Sequence, residues 1–298
     1  MKDELLKIGL LDGQARATIA ITTNLTDEAR RIHSLSRVAT AALGRMLTAT
    51  VIISSDLKSD KDSVTCMIKG SGPLGTVLAV GDAKPSVKGY VGNPAVDLPR
   101  VNGKLPVGDA VGRDGTLTVI KDLGLKQPYS GRVNLVSGEI AEDFCQYFMV
   151  SEQTPSIVSL GVLTADKVKS AGGIVVQAMP NATDEAIREL ELSSALFANI
   201  SSIISECSAD DMIRLMLGHL RPQTLERRAP KYECDCCVNR VQRAIISLGE
   251  DELLDMISSL ESGENGDSIE VNCQFCDKKY NFTARDLQEI LHDAKQER

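Results

Sequence analysis

The chain is predicted to adopt an α+β fold. A mixed-sheet N-terminal domain (residues 1–180) leads through a helical linker (181–231) to a small C-terminal module built on four cysteines (232–298). Three observations predict this. Up to Pro180 the chain runs through many short strand-like segments bounded by turn residues, with few helical stretches between them. Beyond Pro180, apolar residues recur at helical spacing. Five of the eight cysteines then fall in one stretch, as Cys234-Asp235-Cys236-Cys237 and Cys273-Gln274-Phe275-Cys276.

From the N-terminus, Lys7 to Thr22 reads as a hairpin turning at Asp12-Gly13, a dipeptide suited to positive backbone φ. Thr26, followed by Asp27 and Glu28, predicts a helix start. Ala39, Ala42, Leu43, Met46, Leu47 and Ile53 continue that helix with one buried face. Its most apolar part, Val38 to Ile53, is too short for a bilayer span and carries Arg45. Val64 to Lys69 and Thr76 to Val80 are strands around Gly70-Ser71-Gly72-Pro73-Leu74-Gly75. By letter this is G-x-G-x-x-G, but a dinucleotide site needs that loop to open a helix, and here a strand follows, so a hairpin turn is expected. Further strands are expected at 88–91, within 112–125, and at 131–136, 157–163 and 173–179. A helix ending near Glu152 interrupts them.

In the linker, Thr183 with Asp184 and Glu185 marks a helix start, and Ile187, Leu190, Phe197, Ile200, Ile204 and Cys207 form its stripe. Ser208 and Asp211 start a second helix, stopped by Gly218 and Pro222. The stripe is thin and interrupted by serines, so its order must come from packing. In the C-terminal module two short helices, 238–248 and 251–260, divide at Gly249. A strand–turn–strand surrounds Cys273 and Cys276, and Thr283 with Asp286 caps a last helix bearing Leu287, Ile290 and Leu291.

A C-x-C and a C-x-x-C together offer four thiolates, the number a closed tetrahedral zinc site takes. A redox-catalytic C-x-x-C would need its first cysteine at a helix N-terminus in a βαβ setting, which the strand-like flanks Ile269, Val271, Tyr280 and Phe282 do not provide. Cys66, Cys145 and Cys207 sit in apolar patterns and are expected to be buried and inert. No nucleophile elbow or acid–base pair stands out and His33 is the lone histidine of the first domain, so no enzyme is expected. The net charge of −8 and the absence of tryptophan argue against nucleic acid and anionic membrane as partners. Eight cysteines without a secretory leader predict a reducing, cytoplasmic setting.

The order C-x-C, helical insert, C-x-x-C in a chain of 298 residues resembles the 33 kDa chaperonin family of redox-regulated heat-shock holdases. Arg37 to Thr48 with its Ala41-Ala42-Leu43-Gly44-Arg45 heart, the glycine turn at 70–75 and Ser151 to Ser156 are similar to that family as well. The resemblance implies one zinc ion on Cys234, Cys236, Cys273 and Cys276 in the reduced state. It also implies that oxidation pairs Cys234 with Cys236 and Cys273 with Cys276, releases the metal, unfolds the linker and exposes apolar surface for unfolding client proteins. A monomer when reduced and a homodimer when oxidised are further family expectations. Two departures stand out. The insert is longer than usual, through the Gly/Asn/Ser-rich run at 261–268, and Cys237 is an extra thiol that could replace Cys236 as ligand. The competing readings are a zinc-knuckle protein for nucleic-acid or protein recognition, and a thiol–disulfide oxidoreductase.

Overall fold

The computed structural model describes residues 2–262 and 266–296; residues 263–265, within the run ascribed to the longer insert, lie outside the described residues. The chain divides into two compact units, Met1–Glu233 and Cys234–Arg298. In chain order the first unit comprises β1 (Glu4–Leu10), β2 (Ala15–Ile21), α1 (Thr23–Ile32), α2 (Arg37–Ser54), β3 (Ser63–Gly70), β4 (Thr76–Asp82) and β5 (Ser86–Val91). It continues with α3 (Val107–Val111), β6 (Gly115–Asp122), β7 (Tyr129–Asn134), α4 (Ala141–Val150), β8 (Ser156–Thr164) and β9 (Val168–Ala178). The segment beyond Pro180 holds α5 (Asp184–Ser193), α6 (Ile200–Glu206), α7 (Ala209–Met212), β10 (Gln223–Arg228) and β11 (Lys231–Tyr232). The second unit has α8 (Val238–Ile246), α9 (Glu250–Glu261), β12 (Ile269–Asn272), β13 (Lys279–Phe282) and α10 (Ala284–Gln296).

The strands of the first unit form two sheets, β10-β1-β2-β9-β8 and β11-β5-β4-β3-β6-β7. Every pairing is antiparallel except β11 on β5, which makes the second sheet mixed, as expected. The helix starts at Thr23, earlier than Thr26 predicts, and Thr26 is a buried residue inside it. The helical run is also broken: Ser34 takes a left-handed φ of 49°, and the Ser36 side chain restarts it by accepting from the Ala39 N–H at 3.1 Å. In α2 every residue from Val38 to Ser54 except Arg45 is buried, not one face alone. The helix lies against strands of both sheets and so is apolar all round. By length and composition it could cross a membrane; here its apolar surface is used by the core. Its hydroxyls are satisfied locally, Thr48 and Thr50 donating to the carbonyls four residues back.

The G-x-G-x-x-G segment joins β3 to β4 as a hairpin, and its amides have partners. Gly72 N–H donates to Val111 O and Leu74 N–H to Ala110 O, both at 2.9 Å. A Cβ on Gly70 would lie 2.1 Å from Val111 O and one on Gly72 2.3 Å from Ala110 O, so these glycines admit the α3 backbone and not a phosphate.

Asp143, fully buried, organises the turn before α4. Its Oδ1 accepts from Val136 N–H at 2.7 Å and from Ser137 and Gly138 at longer range, and its Oδ2 accepts from Ile140 N–H at 2.9 Å. Removing the carboxylate strands two buried donors, on Gly138 and Ile140, each worth about 1–3 kcal/mol, and deprives two part-buried ones of their partner. Asp143→Ala is therefore expected to destabilise the first unit by at least about 3 kcal/mol, read as a lower urea midpoint at unchanged m-value. A midpoint within error of the parent would refute this account of the turn.

Beyond Pro180 the helices are shorter than expected. Thr183 caps α5, its hydroxyl accepting from Ala186 N–H at 3.3 Å, but Asn199 at a left-handed φ of 56° and extended Cys207 break the run. Phe197, Ile200, Ile204, Met212, Met216 and Leu217 are buried against Leu6, Ile8, Ile19, Ile174 and Val176, on the face of the first sheet turned away from α2. Ile187, expected in the stripe, is instead 38% exposed. Gly161 and Gly172 permit the close approach of α6, since Cβ atoms there would meet Ile200 Cγ2 at 2.8 Å and Ile204 Cδ1 at 2.5 Å. This segment also contributes β10 and β11, strands for which the sequence carries no apolar alternation.

Candidate metal centre

The second unit has a small core, with Ile245, Leu253, Ile257, Leu260, Tyr280, Phe282, Leu287 and Ile290 buried. Beside it the sulfurs of Cys234, Cys236, Cys273 and Cys276 all lie within 4.8 Å of one another. Two of these contacts link the motifs, Cys234 to Cys273 at 3.7 Å and Cys236 to Cys276 at 3.3 Å. A tetrahedron with metal–sulfur bonds of about 2.3 Å has sulfur–sulfur edges of about 3.8 Å. Four sulfurs at this spacing fit a thiophilic metal ion such as zinc.

Local backbone geometry presents these sulfurs. β12 and β13 pair from Ile269 with Phe282 to Asn272 with Lys279, so Cys273 leaves one strand just as the chain turns. Cys273 N–H donates to Lys278 O at 2.9 Å, Asp277 N–H returns to Cys273 O at 2.8 Å, and Asp277 takes φ 58° to close the knuckle. The Lys278 N–H is directed at the Cys276 sulfur and the Cys236 N–H at that of Cys234. Backbone donors to sulfur favour the thiolate form, which is the form that binds metal. C-x-x-C thus sits in a strand–turn–strand and not at a helix N-terminus, the placement a thiol–disulfide oxidoreductase would need.

Crowding divides the protons unequally. Burial, followed by hydrogen bonding among the thiols, holds Cys234 and Cys276 above the ordinary thiol range. Burial alone would raise Cys236 too, but the Tyr280 hydroxyl, donating to its sulfur at 3.1 Å, and the neighbouring thiols lower it to about 7. Tyr280 was expected only as a strand residue; its position, with its side chain on the cysteine side of β13, emerges from the hairpin register.

Of the two adjacent cysteines, the structure brings Cys236 into the group and leaves Cys237 exposed. Neighbouring side chains in extended backbone point to opposite sides, and Cys237 is the extended residue that starts α8, its carbonyl accepting from Arg240 and Val241 N–H. Cys237→Ser is accordingly expected to keep full metal stoichiometry and an affinity within about twofold of the parent, as for a surface substitution. Titration against a chromophoric chelator measures this, and a loss of metal would return Cys237 to the ligand set. Cys66 is buried as expected, and burial pushes its thiol up to about 12. Cys145 and Cys207 are only half-buried, because Cys145 lies in mid-α4 beside the buried stripe of Phe144, Tyr147 and Phe148, and Cys207 at the end of α6.

Comparison with known proteins places this geometry in a lineage. The sequence profile described as "Hsp33 protein" matches residues 3–283. A protein named 33 kDa chaperonin from Clostridioides difficile (strain 630) is 47% identical over 296 residues, covering 98% of this chain and 100% of that one. A protein of the same name from Alkaliphilus metalliredigens (strain QYMF) is 42% identical over 297 residues, with 98% and 100% coverage. The crystal structure of the 33 kDa chaperonin from Thermotoga maritima superposes with a TM-score of 0.87 at 35% identity, over 99% of this chain and 100% of that one.

Proposed function

The chain belongs to the Hsp33 family, and from that premise we propose that it is a redox-regulated holdase, a chaperone that keeps unfolding proteins from aggregating once an oxidant has opened its C-terminal module. The observation that carries this reading is the group of four sulfurs within 4.8 Å, two of them supplied by each of two short motifs. In the reduced state Cys234, Cys236, Cys273 and Cys276 would hold one zinc ion. When bound, the metal keeps the sulfurs as thiolates and contributes folding free energy to a module with a small core.

Thiolates are the nucleophiles of cysteine oxidation. One sulfur attacks a peroxide oxygen, breaking the O–O bond and becoming a sulfenic acid as hydroxide leaves. A neighbouring thiolate then displaces the second hydroxide and forms the S–S bond, so each disulfide passes two electrons to one peroxide. The pairs proposed, from the family resemblance, are Cys234 with Cys236 and Cys273 with Cys276. The shortest sulfur contacts run between the motifs, so local pairing requires each knuckle to turn on itself as the module loosens. Sulfurs so joined no longer bind the metal, and the fold that depended on it is lost. Release of α5 to α7 would then uncover Leu6, Ile8, Ile19, Ile174 and Val176, an apolar sheet face suited to unfolding proteins. Eight free cysteines suit a reducing compartment, and the cytoplasm is the proposed location.

Treating the reduced, zinc-loaded chain with peroxide tests the reading in one series. Expected are release of one zinc per chain to a chelator, two disulfides by peptide mapping, and suppression of client aggregation by the oxidised form alone. Equal suppression by both forms would defeat it. Metal retained under peroxide with salt-dependent RNA binding would favour the zinc-knuckle alternative, and catalytic reduction of insulin the oxidoreductase.

A further inference from the structure

β10 is the edge strand of the first sheet, and none of its residues is buried. It pairs with β1 from Leu5 with Arg228 to Gly9 with Gln223, across an irregularity between Lys7 and Ile8. Its one apolar side chain, Leu225, is 63% exposed and lies over Gly9 on β1. Arg227 reaches Glu4 at 3.0 Å and also Asp210, and Glu226 lies 3.9 Å from Lys7. Ion pairs between side chains this exposed add little. Arg228 adds one tether, donating to the Ala83 carbonyl at 2.9 Å, but with no side chain buried what holds β10 is mainly its backbone ladder.

β1 is held quite differently. It pairs with β2 along its whole length, and Leu5 is buried on the α2 side while Leu6, Ile8 and Leu10 are buried on the other. β1 can therefore stay in place when β10 leaves, presenting a row of backbone donors and acceptors to any extended chain. β10 lies between Leu220, the last buried residue of the linker core, and β11, which ends next to the cysteine motif. It belongs to the stretch that the proposed oxidation would loosen.

We propose that the outer edge of β1 is a docking site for an extended segment of an unfolding protein, which takes the place of β10 by adding a strand to the sheet. The present occupant identifies the kind of partner. Gln-Thr-Leu-Glu-Arg-Arg buries no side chain, so the edge recognises backbone and accepts sequences without regard to composition, as a chaperone requires. The proposal rests on the holdase reading and specifies one of its binding surfaces.

The test uses the full-length chain, reduced and peroxide-oxidised, with hydrogen exchange read over residues 4–10. Three probes are added: carboxymethylated α-lactalbumin, a permanently unfolded protein; a synthetic peptide of residues 221–230; and the same peptide N-methylated at alternate amides. On oxidation the β1 amides facing β10 are expected to exchange at least about tenfold faster, and both α-lactalbumin and the unmodified peptide should restore their protection. The N-methylated peptide, unable to complete a ladder, should bind at least about tenfold more weakly. Three results would overturn the site while leaving the holdase reading intact: β1 amides that stay protected on oxidation, α-lactalbumin bound with β1 still exchanging, or equal binding of the two peptides. Protection that returns with protein concentration and no added probe would assign the edge to a second copy of the chain instead. An oxidised chain that holds no unfolded protein at all would bring down both.

Discussion

Cys273→Ser is expected to purify without stoichiometric metal and to lose the cooperative fold of its C-terminal unit. A serine hydroxyl stays protonated near neutral pH and is a poor zinc ligand, so the substitution leaves three thiolates and an open coordination position. The consequence is large because the unit has little else. The eight apolar side chains buried among its described residues are too few to stabilise a domain of this size securely, whereas structural zinc contributes on the order of 10 kcal/mol or more at neutral pH. Metal content by chelator titration and amide exchange in α9 and α10 measure the two effects. Full metal content in the variant, or unchanged protection in those helices, would show that the four-sulfur group is not what holds the unit together. Set against Cys237→Ser, the variant also separates the grouped thiols from their exposed neighbour.

In Phe197→Ala the segment from α5 to α7 is expected to open without any oxidant. Phe197 is 1% exposed and packs into the core shared with the outer face of the first sheet, and its carbonyl accepts a hydrogen bond from the Ser159 hydroxyl at 2.6 Å. Truncating a buried phenylalanine costs about 3–5 kcal/mol. That is a large share of what such short helices, interrupted at Asn199 and Cys207, can gain from packing. Limited proteolysis should therefore cut between residues 181 and 222 in the reduced, metal-loaded chain, and that chain should suppress client aggregation before peroxide is added. Cleavage and activity unchanged from the parent would mean that the segment is not poised to lift. Cleavage without activity would leave the packing account standing and count against the holdase role of the uncovered face.

How much of this was legible in advance depended on how local the cause is. The hairpin at Asp12-Gly13, the glycine turn at 70–75 and the knuckle around Cys273 and Cys276 follow from a few adjacent residues, and the structure has all three where the sequence puts them. The helical run from Thr26 to Ile53 was legible as helix, but not its break at Ser34 or the burial of α2 on every side. The burial depends on two sheets meeting the same helix, and at the restart the Ser36 N–H and hydroxyl donate to the Pro94 and Val96 carbonyls, far along the chain. β10 and β11 were not legible at all, since neither carries an alternating apolar pattern.

The amino-acid sequence by itself determined the four-thiol pattern and the α+β class, because each is written in short-range spacing and composition. The tertiary structure decided that Cys236 and not Cys237 joins the sulfur group, that the helices beyond Pro180 break where they cross the sheet, and that the stretch after them returns as an edge strand on β1. These depend on backbone groups that every residue carries and on surfaces distant in the chain. Their pairing is settled by geometry in space, where sequence periodicity is silent.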